Sequence, residues 1–405
     1  MLCHYQFTLM AQGFAPAPPP TVSASVKRFK RTILDELKGL EDPRNKREPN
    51  HLLSDIVTIA ILATLGGADN MVAVETYGRE KQDWLASFLE LPYGIPSHDT
   101  FSRVFAQIDP EQFHGFFLRW VQQLTVQLDI KIINLDGKTA RGSYDRETKL
   151  KALHSVTAWA AEHHLVLAQQ RVDEKSNEIT AIPELLELLE LEGTIITIDA
   201  MGTQTEIAAQ IIRNGGDYIL ALKGNQGQLY KGVKTFFEQA RAKDWSGIEV
   251  SYESTTEAGH HRIEHRQVWV VPISQVPNLP NQKKWKGLAT IVMVRRRRIL
   301  WNTETERVCY YITSLDANAA SLAKAIRSHW GIENSLHWIL DVTFKEDQNR
   351  IRMGHGPENM TLLRRLCVNL IKRDKSKGSI NMKRYRAAMN NDYALTLLGV
   401  QNSES

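Results

Sequence analysis

The sequence has few of the features that mark a membrane protein or a disulfide-stabilised one. Only three of its 405 residues are cysteine, at Cys3, Cys309 and Cys367, and they form no CxxC pair. Their odd number and wide spacing argue against a disulfide framework or a cysteine-based zinc site, and free thiols fit a cytoplasmic protein. The most apolar run, 56–65, is far shorter than the roughly 20 residues that span a bilayer.

A large excess of charge of one sign is also lacking. The formal net charge is only +4, and 42% of the residues are hydrophobic and 24% charged, as in an ordinary globular protein. Any binding of nucleic acid must therefore come from local basic patches rather than from the field of the whole molecule. At about 150 residues per domain, the length predicts two or three domains.

The spacing of apolar residues changes along the chain and predicts its organisation. Residues 1–25 include an uncharged Pro-rich run that cannot build a core, so we expect a disordered leader. Residues 26–128 show helical spacing and predict an all-helical N-terminal domain. Residues 129–375 predict an α/β domain, and the polar residues 376–405 predict a loosely ordered C-terminal tail.

The α/β region begins with three predicted strands and continues with alternating helices and strands. In chain order these are strands at 131–136, 152–161 and 165–172, a helix at 182–191, a strand at 194–199, a helix at 203–213 and a strand at 218–222. This is the order of an RNase H-like core. Residues of about 225–315 depart from it with one helix and several β-like runs, which predicts a β-rich insertion. Helical spacing returns from residue 317.

Two aspartates, Asp136 and Asp199, each end a predicted strand, at the edge where open sheets bind ligands. Each is followed by a small residue, Gly137 or Ala200, which leaves room for a metal or a substrate. Two converging carboxylates can hold Mg²⁺, and two such ions about 3.5–4 Å apart can activate water and stabilise the leaving oxygen of a phosphodiester. Taken singly, a strand-end aspartate is often only a helix cap or a turn former.

A third acid, Glu333, lies in a predicted helix between His329 and His337. The spacing of four residues places all three on one helix face, while Trp330 and Leu336 fall on another face and can pack into the core. The His-Glu-His stripe lacks the HExxH arrangement of zinc proteases, and a solvated face is the commonest fate of such a stripe. Together with the two aspartates, Glu333 would complete an acidic trio.

Basic residues near these acids in the sequence could hold phosphates. The arginine run 295–298 ends an insertion strand, where it either contacts DNA or keeps the strand edge from pairing. The remaining basic candidates are Lys138, Arg141, Lys223, Arg350 and Arg352.

Short segments across residues 40–373 resemble, in the same order, transposases of the ISAs1 insertion-sequence family, including H-repeat-associated proteins, within the IS4-like DDE group. The matching segments are 42–44 (DPR), 94–101 (GIPSHDTF), 136–143 (DGKTARGS), 177–179 (NEI), 197–204 (TIDAMGTQ), 222–226 (LKGNQ), 329–334 (HWGIEN) and 341–347 (DVTFKED).

This resemblance implies an RNase H-like transposase that hydrolyses phosphodiesters at transposon ends and then joins the freed 3′-OH to target DNA. It implies that Asp136, Asp199 and Glu333 are catalytic and hold Mg²⁺, or Mn²⁺ in its place. It also implies terminal inverted repeats and target DNA as partners, and a homo-oligomer on DNA. Asn225 and His329 join the basic residues as expected DNA contacts.

The chain departs from one pattern of this group. IS4-like enzymes often carry a Tyr-x2-Arg-x3-Glu-x6-Lys signature, whereas positions 326, 329 and 340 here hold Ile, His and Leu. Only Glu333 survives, and His329, Arg350 or Arg352 would have to supply the phosphate contacts. Two alternatives stay open at this point: a domesticated or inactive DNA-binding relative, and another Mg²⁺-dependent phosphohydrolase.

Overall fold

The computed structural model describes residues 33–44, 49–144, 151–173, 176–259, 262–301 and 303–400, so the predicted leader lies outside the described residues. Within these residues, six helices precede the first strand, and side-chain caps fix the start of several. Ser97, for example, accepts a hydrogen bond from the backbone N–H of Thr100. These helices are α1 (Ile33–Leu37), α2 (Leu53–Leu65), α3 (Met71–Glu80), α4 (Gln82–Leu85), α5 (His98–Gln107) and α6 (Pro110–Thr125).

A nine-stranded sheet, counted over the described residues, carries the rest of the fold. Its order is β3-β2-β1-β4-β5-β9-β8-β7-β6. β1, β4 and β5 run parallel, and every other neighbouring pair is antiparallel. The strands are β1 (Ile132–Ala140), β2 (Leu153–Ala160), β3 (Leu165–Val172), β4 (Ile195–Ile198), β5 (Asp217–Leu222), β6 (Ser251–Gly259), β7 (Arg262–Pro272), β8 (Thr290–Leu300) and β9 (Thr303–Thr313).

The end of β1 differs from the prediction. Pairing with the parallel strand β4 stops at Leu135 opposite Ile198, but pairing with β2 continues to Ala140 opposite Leu153. The prediction that the strand ends at Asp136 is therefore wrong on the β2 side. Asp136 is the first residue of β1 beyond β4, so it lies where the sheet opens.

Seven helices complete the described fold: α7 (Glu178–Glu187), α8 (Thr205–Arg213), α9 (Gly227–Ala242), α10 (Ala319–Ile332), α11 (Gly356–Arg373), α12 (Ile380–Met389) and α13 (Asn391–Leu398). Side chains alternate between the two faces of a strand. Asn134 of β1 bonds to α10, and Thr157, opposite Asp136, bonds to α11, so these two helices share one face. Helix α7 lies on the other face, where His154 meets Glu178.

The predicted division into a helical domain and a catalytic domain is not confirmed as two separate cores. Buried side chains of α2, α5 and α6 belong to the same apolar cluster as those of α11 and the sheet. Within the described ranges, every helix is too short or too polar to cross a lipid bilayer.

Two segments fold differently from their sequence-based expectation. Helix α7 begins at Glu178 rather than at 182, because the Asn177 side chain caps it by accepting from the N–H of Ile179 at 3.0 Å. The C-terminal residues expected to be loosely ordered form α12 and α13, in which Tyr393 and Leu398 are buried. The apolar residues of α13 recur at helical spacing and pack into the core. The polar residues around them concealed this pattern in the sequence.

A buried ion pair ties α11 to the segment after α10. Arg365 Nη1 lies 3.1 Å from Oε1 of Glu346, and both side chains are at most 1% exposed. The same guanidinium also donates to the backbone oxygen of Thr361. A buried charge is tolerated only when it is paired and hydrogen-bonded, as it is here.

We expect Arg365→Ala to lower the free energy of unfolding by about 3–5 kcal/mol, because it leaves a carboxylate in the core without its partner. Replacing both Arg365 and Glu346 by Leu should recover part of this loss, since Lys138, which also faces Glu346, keeps Asp341 and Asp347 as partners. Urea unfolding of the three proteins measures the difference. An equally large loss in the double variant would contradict this explanation.

Candidate functional site

The two predicted aspartates lie side by side where β1 and β4 part. Asp136 Oδ1 accepts from the N–H of Gly137 at 3.0 Å. Asp199 directly follows β4, and its Oδ1 accepts from the N–H of Met201 at 2.9 Å, so it also forms the turn that leads to α8. Asp199 thus both forms a turn and lies beside Asp136.

A buried polar network attaches α10 to the two strands that carry these aspartates. Asn134 Nδ2 donates to the backbone oxygen of Ser328 at 2.7 Å, and Thr197 Oγ1 lies 2.8 Å from Oδ1 of Asn134. The same hydroxyl lies 2.8 Å from Nδ1 of His329. Because Asn134 and Thr197 each precede a site aspartate by two residues on the same strand, the network sets the height of α10 above the sheet edge.

The helix widens just after this network. From Glu333 onward, backbone hydrogen bonds join residues five positions apart. The N–H of Trp338 donates to the oxygen of Glu333, and the N–H of Phe344 donates to the oxygen of Ile339. Such π-helical turns occur mostly as local widenings, frequently at functional sites. The predicted stripe still faces the site: Glu333 is electrostatically coupled to Asp136, and His337 Nδ1 lies 3.6 Å from Oδ2 of Asp136.

Three carboxylates act on the carboxyl of Asp136 at this point. Burial is the largest cause of a raised pKa, about 7, at the Asp136 carboxyl. The carboxylates that raise it further by repulsion are those of Asp199, Glu178 and Glu333. Like charges held together in a partly buried place favour either a proton or a cation between them.

The donor set fits a hard divalent cation, since carboxylate oxygens are the ligands that Mg²⁺ and Mn²⁺ take in proteins. Within the described part of the chain, however, no three His, Cys, Asp or Glu side chains already stand at metal-coordinating distances. The residues match a divalent cation by chemistry and by charge, and their side chains must close in for it to be held.

The structure places Lys138 differently from the expected DNA contact. Its side chain is 7% exposed, and Nζ lies 2.6 Å from Oδ1 of Asp341 and 3.7 Å from carboxylate oxygens of both Glu346 and Asp347. Lys138 therefore neutralises an acidic cluster inside the protein and has no room for a phosphate. Asp341, a possible substitute for Glu333, is likewise held by this lysine.

His329 is also unsuited to the cationic contact expected of it. It faces inward against Thr197, and burial lowers its pKa to about 4, so the ring is neutral near pH 7. The pKa of His337 is lowered further, to about 3, again mainly by burial. Both rings are polar packing groups of the site rather than charges for a phosphate.

The other expected DNA contacts are exposed around the site. On one side, Lys223 follows β5, and Asn225 donates to the backbone oxygen of Ala200, next to Asp199. On the other side, Arg352 Nε lies 3.4 Å from the backbone oxygen of Gly142. The group on the Asp199 side comprises Lys223 and Asn225, and the group on the Asp136 side comprises Arg141, Arg350 and Arg352.

The arginine run 295–298 is divided by the alternation of β8. Arg295 and Arg297 pair with Glu306 and Glu304 on the neighbouring strand. Arg296 and Arg298 face a cavity of about 690 Å³ between the insertion and α10, which Glu333 also lines. Arg296 stacks over the Trp330 ring at 4.5 Å from its centroid. One half of the run is thus a paired strand surface. The other half is a basic wall of that cavity, in which Arg296 also lies 4.0 Å from Oε1 of Glu264.

Sequence reasoning missed three residues of the site. His337 was seen only as part of a stripe, whereas Glu178 and His154 were not proposed at all. The overlooked signal is the cap: an Asn followed by an apolar helical run predicts a helix that starts at Glu178. This start places Glu178 at the tip of α7, beside β1.

Comparison with known proteins decides the family. The family model described as "Transposase DDE domain" matches residues 125–370, and the model described as "DDE_Tnp_1-associated" matches residues 34–121. The chain belongs to the DDE transposase family. The predicted resemblance to the IS4-like DDE group is confirmed at this level, and the finer ISAs1 assignment stays a prediction.

Relatives of this DDE transposase cover almost its whole length. It is 39% identical to "Putative transposase YncI" of Escherichia coli O157:H7, over 90% of this chain and 93% of that protein. It is 38% identical to "H repeat-associated putative transposase YhhI" of Escherichia coli K12, over 91% of this chain and 98% of that protein. Among solved structures, a piggyBac transposase synaptic complex with hairpin DNA matches with a TM-score of 0.41 and 10% identity, over 90% of this chain and 78% of that one.

Asp136 should make the stability of the metal-free transposase depend on pH. Its pKa is about 7 in the folded chain against an ordinary 3.8, so ionisation costs folding free energy as the pH rises from about 4 to 7, and the full cost applies above pH 7. We expect Asp136→Asn to raise the free energy of unfolding by about 2–4 kcal/mol at pH 8 and to have little effect near pH 4. Unfolding with a chelator present measures this.

Asp217→Asn is the matched control for this comparison. Asp217 also lies at the end of a strand, where it accepts from the Ser314 hydroxyl at 2.7 Å, at the opposite edge of the sheet. It should show no comparable gain at pH 8. A stabilisation by Asp136→Asn of equal size at both pH values would mean that the removal of a buried, repelled charge is not its cause.

Proposed function

We propose that this chain is an active DNA transposase that cuts transposon ends by metal-dependent phosphodiester hydrolysis and joins them to target DNA. The observation that carries the proposal is geometric: Asp136 and Asp199 directly follow the last residue pair of β1 and β4. Hydrogen bonds of Asn134 and Thr197 hold α10, which Glu333 directly follows, over the same edge. Membership of the DDE transposase family supports the same three residues as the catalytic trio.

The proposed fold of the catalytic part is RNase H-like. In support, β1, β2 and β3 form an antiparallel meander, and β4 and β5 are added parallel to β1, in the order β3-β2-β1-β4-β5. The β-rich insertion then comprises α9 and β6 to β9, which extend the sheet beyond β5. It lies in the chain between Asp199 and Glu333.

Asp136, Asp199 and Glu333 would hold Mg²⁺, or Mn²⁺ in its place. Bound divalent cations lower the pKa of water and stabilise both the attacking and the leaving oxygen of a phosphodiester. The chain contributes the geometry: Asn134 and Thr197 fix α10 above the strands, and the exposed Glu333 directly follows this helix. The neutral ring of His337 packs beside Asp136 without adding a competing positive charge.

The proposed DNA path crosses the open end of the sheet. Lys223 and Asn225 would contact the backbone on the Asp199 side, and Arg141, Arg350 and Arg352 on the Asp136 side. The basic wall of Arg296 and Arg298 continues this path beyond Glu333. The proposed partners are the terminal inverted repeats and target DNA, on which the protein acts as a homo-oligomer.

One alternative remains a candidate: a relative that binds DNA through these basic surfaces but no longer cuts it. The observation in its favour is that the acids are not already at coordinating distances within the described residues. The complete trio favours the active enzyme. A cleavage assay with Mg²⁺ on DNA that carries the terminal repeats separates the two.

We expect Asp136→Asn, Asp199→Asn and Glu333→Gln each to reduce cleavage by at least about 1000-fold while DNA binding and folding persist. Each carboxamide keeps the shape of the side chain but loses the charge that holds a cation, and residues that act as a unit fail together. Cleavage of labelled end DNA, with binding measured in parallel, tests all three.

Asp341→Asn is the discriminating control for Glu333→Gln. Its carboxylate is engaged by Lys138, so its loss should reduce stability modestly and leave cleavage intact. Cleavage that survives Glu333→Gln but not Asp341→Asn would move the third carboxylate to Asp341. Normal cleavage by all three trio variants would refute the proposed chemistry.

We expect Lys223→Glu combined with Arg352→Glu to weaken binding to all DNA sequences alike. Phosphate contacts release counterions, so the variant should also show a shallower dependence of binding on salt, by about two units of log–log slope. Titration of labelled duplexes at several salt concentrations measures this. Lys131→Glu, at the opposite end of β1 and 63% exposed, is the control and should leave binding unchanged.

A further inference from the structure

A fourth carboxylate reaches the acidic site from the other face of the sheet. Asp136 and Lys138 point from β1 toward the α10 face, and Gly137 and Thr139 toward α7. Glu178, the first residue of α7, lies on that second face, and its charge is one of those that repel Asp136. The two faces meet here because β4 ends at Ile198 and leaves this edge of β1 open.

The approach of Glu178 depends on the absence of a side chain at Gly137. A Cβ at this position would overlap Oε1 of Glu178, and it would lie 2.6 Å from Cδ of Glu178 and 3.0 Å from Nε2 of His154. The backbone of Gly137 needs no special conformation, since its φ is not positive. The glycine is therefore a space-making residue, and the space is filled by a carboxylate.

His154 holds this carboxylate in a fixed orientation. Its Nε2 lies 2.8 Å from Oε1 of Glu178, and its Nδ1 lies 2.8 Å from Oγ1 of Thr139, directly opposite on β1. If the Thr139 hydroxyl donates to Nδ1, the ring carries its proton on Nε2 and donates to Glu178. This arrangement engages one oxygen of Glu178 and orients the group, as a supporting residue does for a metal ligand.

We propose that Glu178 is a fourth metal-holding carboxylate of the active site, accommodated by Gly137 and oriented by His154. The inference rests on the proposed function, because it adds a ligand to the same cation site. Glu178 and His154 also line a cavity of about 460 Å³ that reaches Met201 and Arg352. The Glu178 carboxylate is therefore accessible to solvent and ions. His154 is a positioning residue that acts through Glu178.

A purely structural role would leave metal binding untouched. An acid in the first turn of a helix is stabilising on its own account, and Glu178 also accepts from His154,. Neither contribution explains why a charge is brought beside Asp136 through a gap that only glycine leaves open. A cation shared by the four acids offsets that repulsion.

The test is divalent-metal affinity, measured by calorimetric titration of the full chain with Mn²⁺ in the absence of DNA. Glu178→Gln keeps the acceptor for His154 and removes the charge, and we expect it to weaken Mn²⁺ binding by about 10–100-fold. Cleavage should fall with it and recover in part at high Mn²⁺ concentration. Unchanged Mn²⁺ affinity in a folded Glu178→Gln protein overturns the proposal.

Two further variants keep the test decisive if Glu178→Gln folds poorly. Gly137→Ala places a methyl group where the carboxylate lies, so it should weaken Mn²⁺ binding without altering any acid. His154→Leu should give a smaller loss of affinity, and none when added to Glu178→Gln, because it acts only through that residue. Normal affinity in both variants contradicts the proposal.

Glu184→Gln is the matched control. Glu184 lies on the same helix and its Oε2 accepts from Nε2 of Gln170 at 2.7 Å, away from the acids, so its loss should leave Mn²⁺ binding unchanged. Asp136→Asn and Asp199→Asn separate the two levels of inference. If they abolish Mn²⁺ binding and Glu178→Gln does not, only the fourth ligand is refuted; if none of the three affects it, the proposed metal chemistry fails as well.

Discussion

The burial of the Asp136 carboxyl among other acids is the constraint on which the rest of this structure depends. Asp136 lies within the field of three other carboxylates and is itself largely buried, an arrangement that lowers the stability of the chain when no cation is present. Such a cluster persists only when each acid is carried by a rigid element. Two strands, the tip of α7 and the end of α10 supply those elements, and most of the buried polar contacts nearby serve to hold them.

The polar contacts divide into two groups with different tasks. Asn134, Thr197 and Ser328 join the strands to α10 through hydrogen bonds between uncharged groups, which fix distance without adding to the field. Lys138, by contrast, gathers a second set of acids next to the site and neutralises them. Because Lys138 neutralises only this second set, the carboxylates around Asp136 remain open to a cation.

Sequence alone was sufficient for the parts of the site that depend on period and position. The strand before Asp199 is a continuous apolar run, and helical spacing indicated Glu333 before the family resemblance implied its role. The sequence could not reveal that Lys138 turns inward, because a lysine two residues after an acid is equally consistent with either environment. The sequence did not reveal Glu178, because its approach to Asp136 depends on the missing Cβ of Gly137. Such a contact cannot be detected from the pattern of a single strand.

The widened turns after α10 illustrate a second limit. A spacing of four residues predicted one helix face for His329, Glu333 and His337, but backbone bonds that skip five residues rotate the side chains C-terminal to them. In this widened segment Trp338 is exposed and Leu340 is buried. No residue type in this stretch forces the widening, so it had to be observed.

The position of the insertion in the chain has a consequence for the newly made protein. Asp136 and Asp199 emerge from the ribosome well before Glu333. The whole of α9 and β6 to β9 must be synthesised between Asp199 and Glu333. A nascent or prematurely ended chain that stops inside the insertion therefore carries two acids on an incomplete sheet and lacks the helix that brings the third. The proposed nuclease activity therefore requires synthesis of the chain through α10 and Glu333.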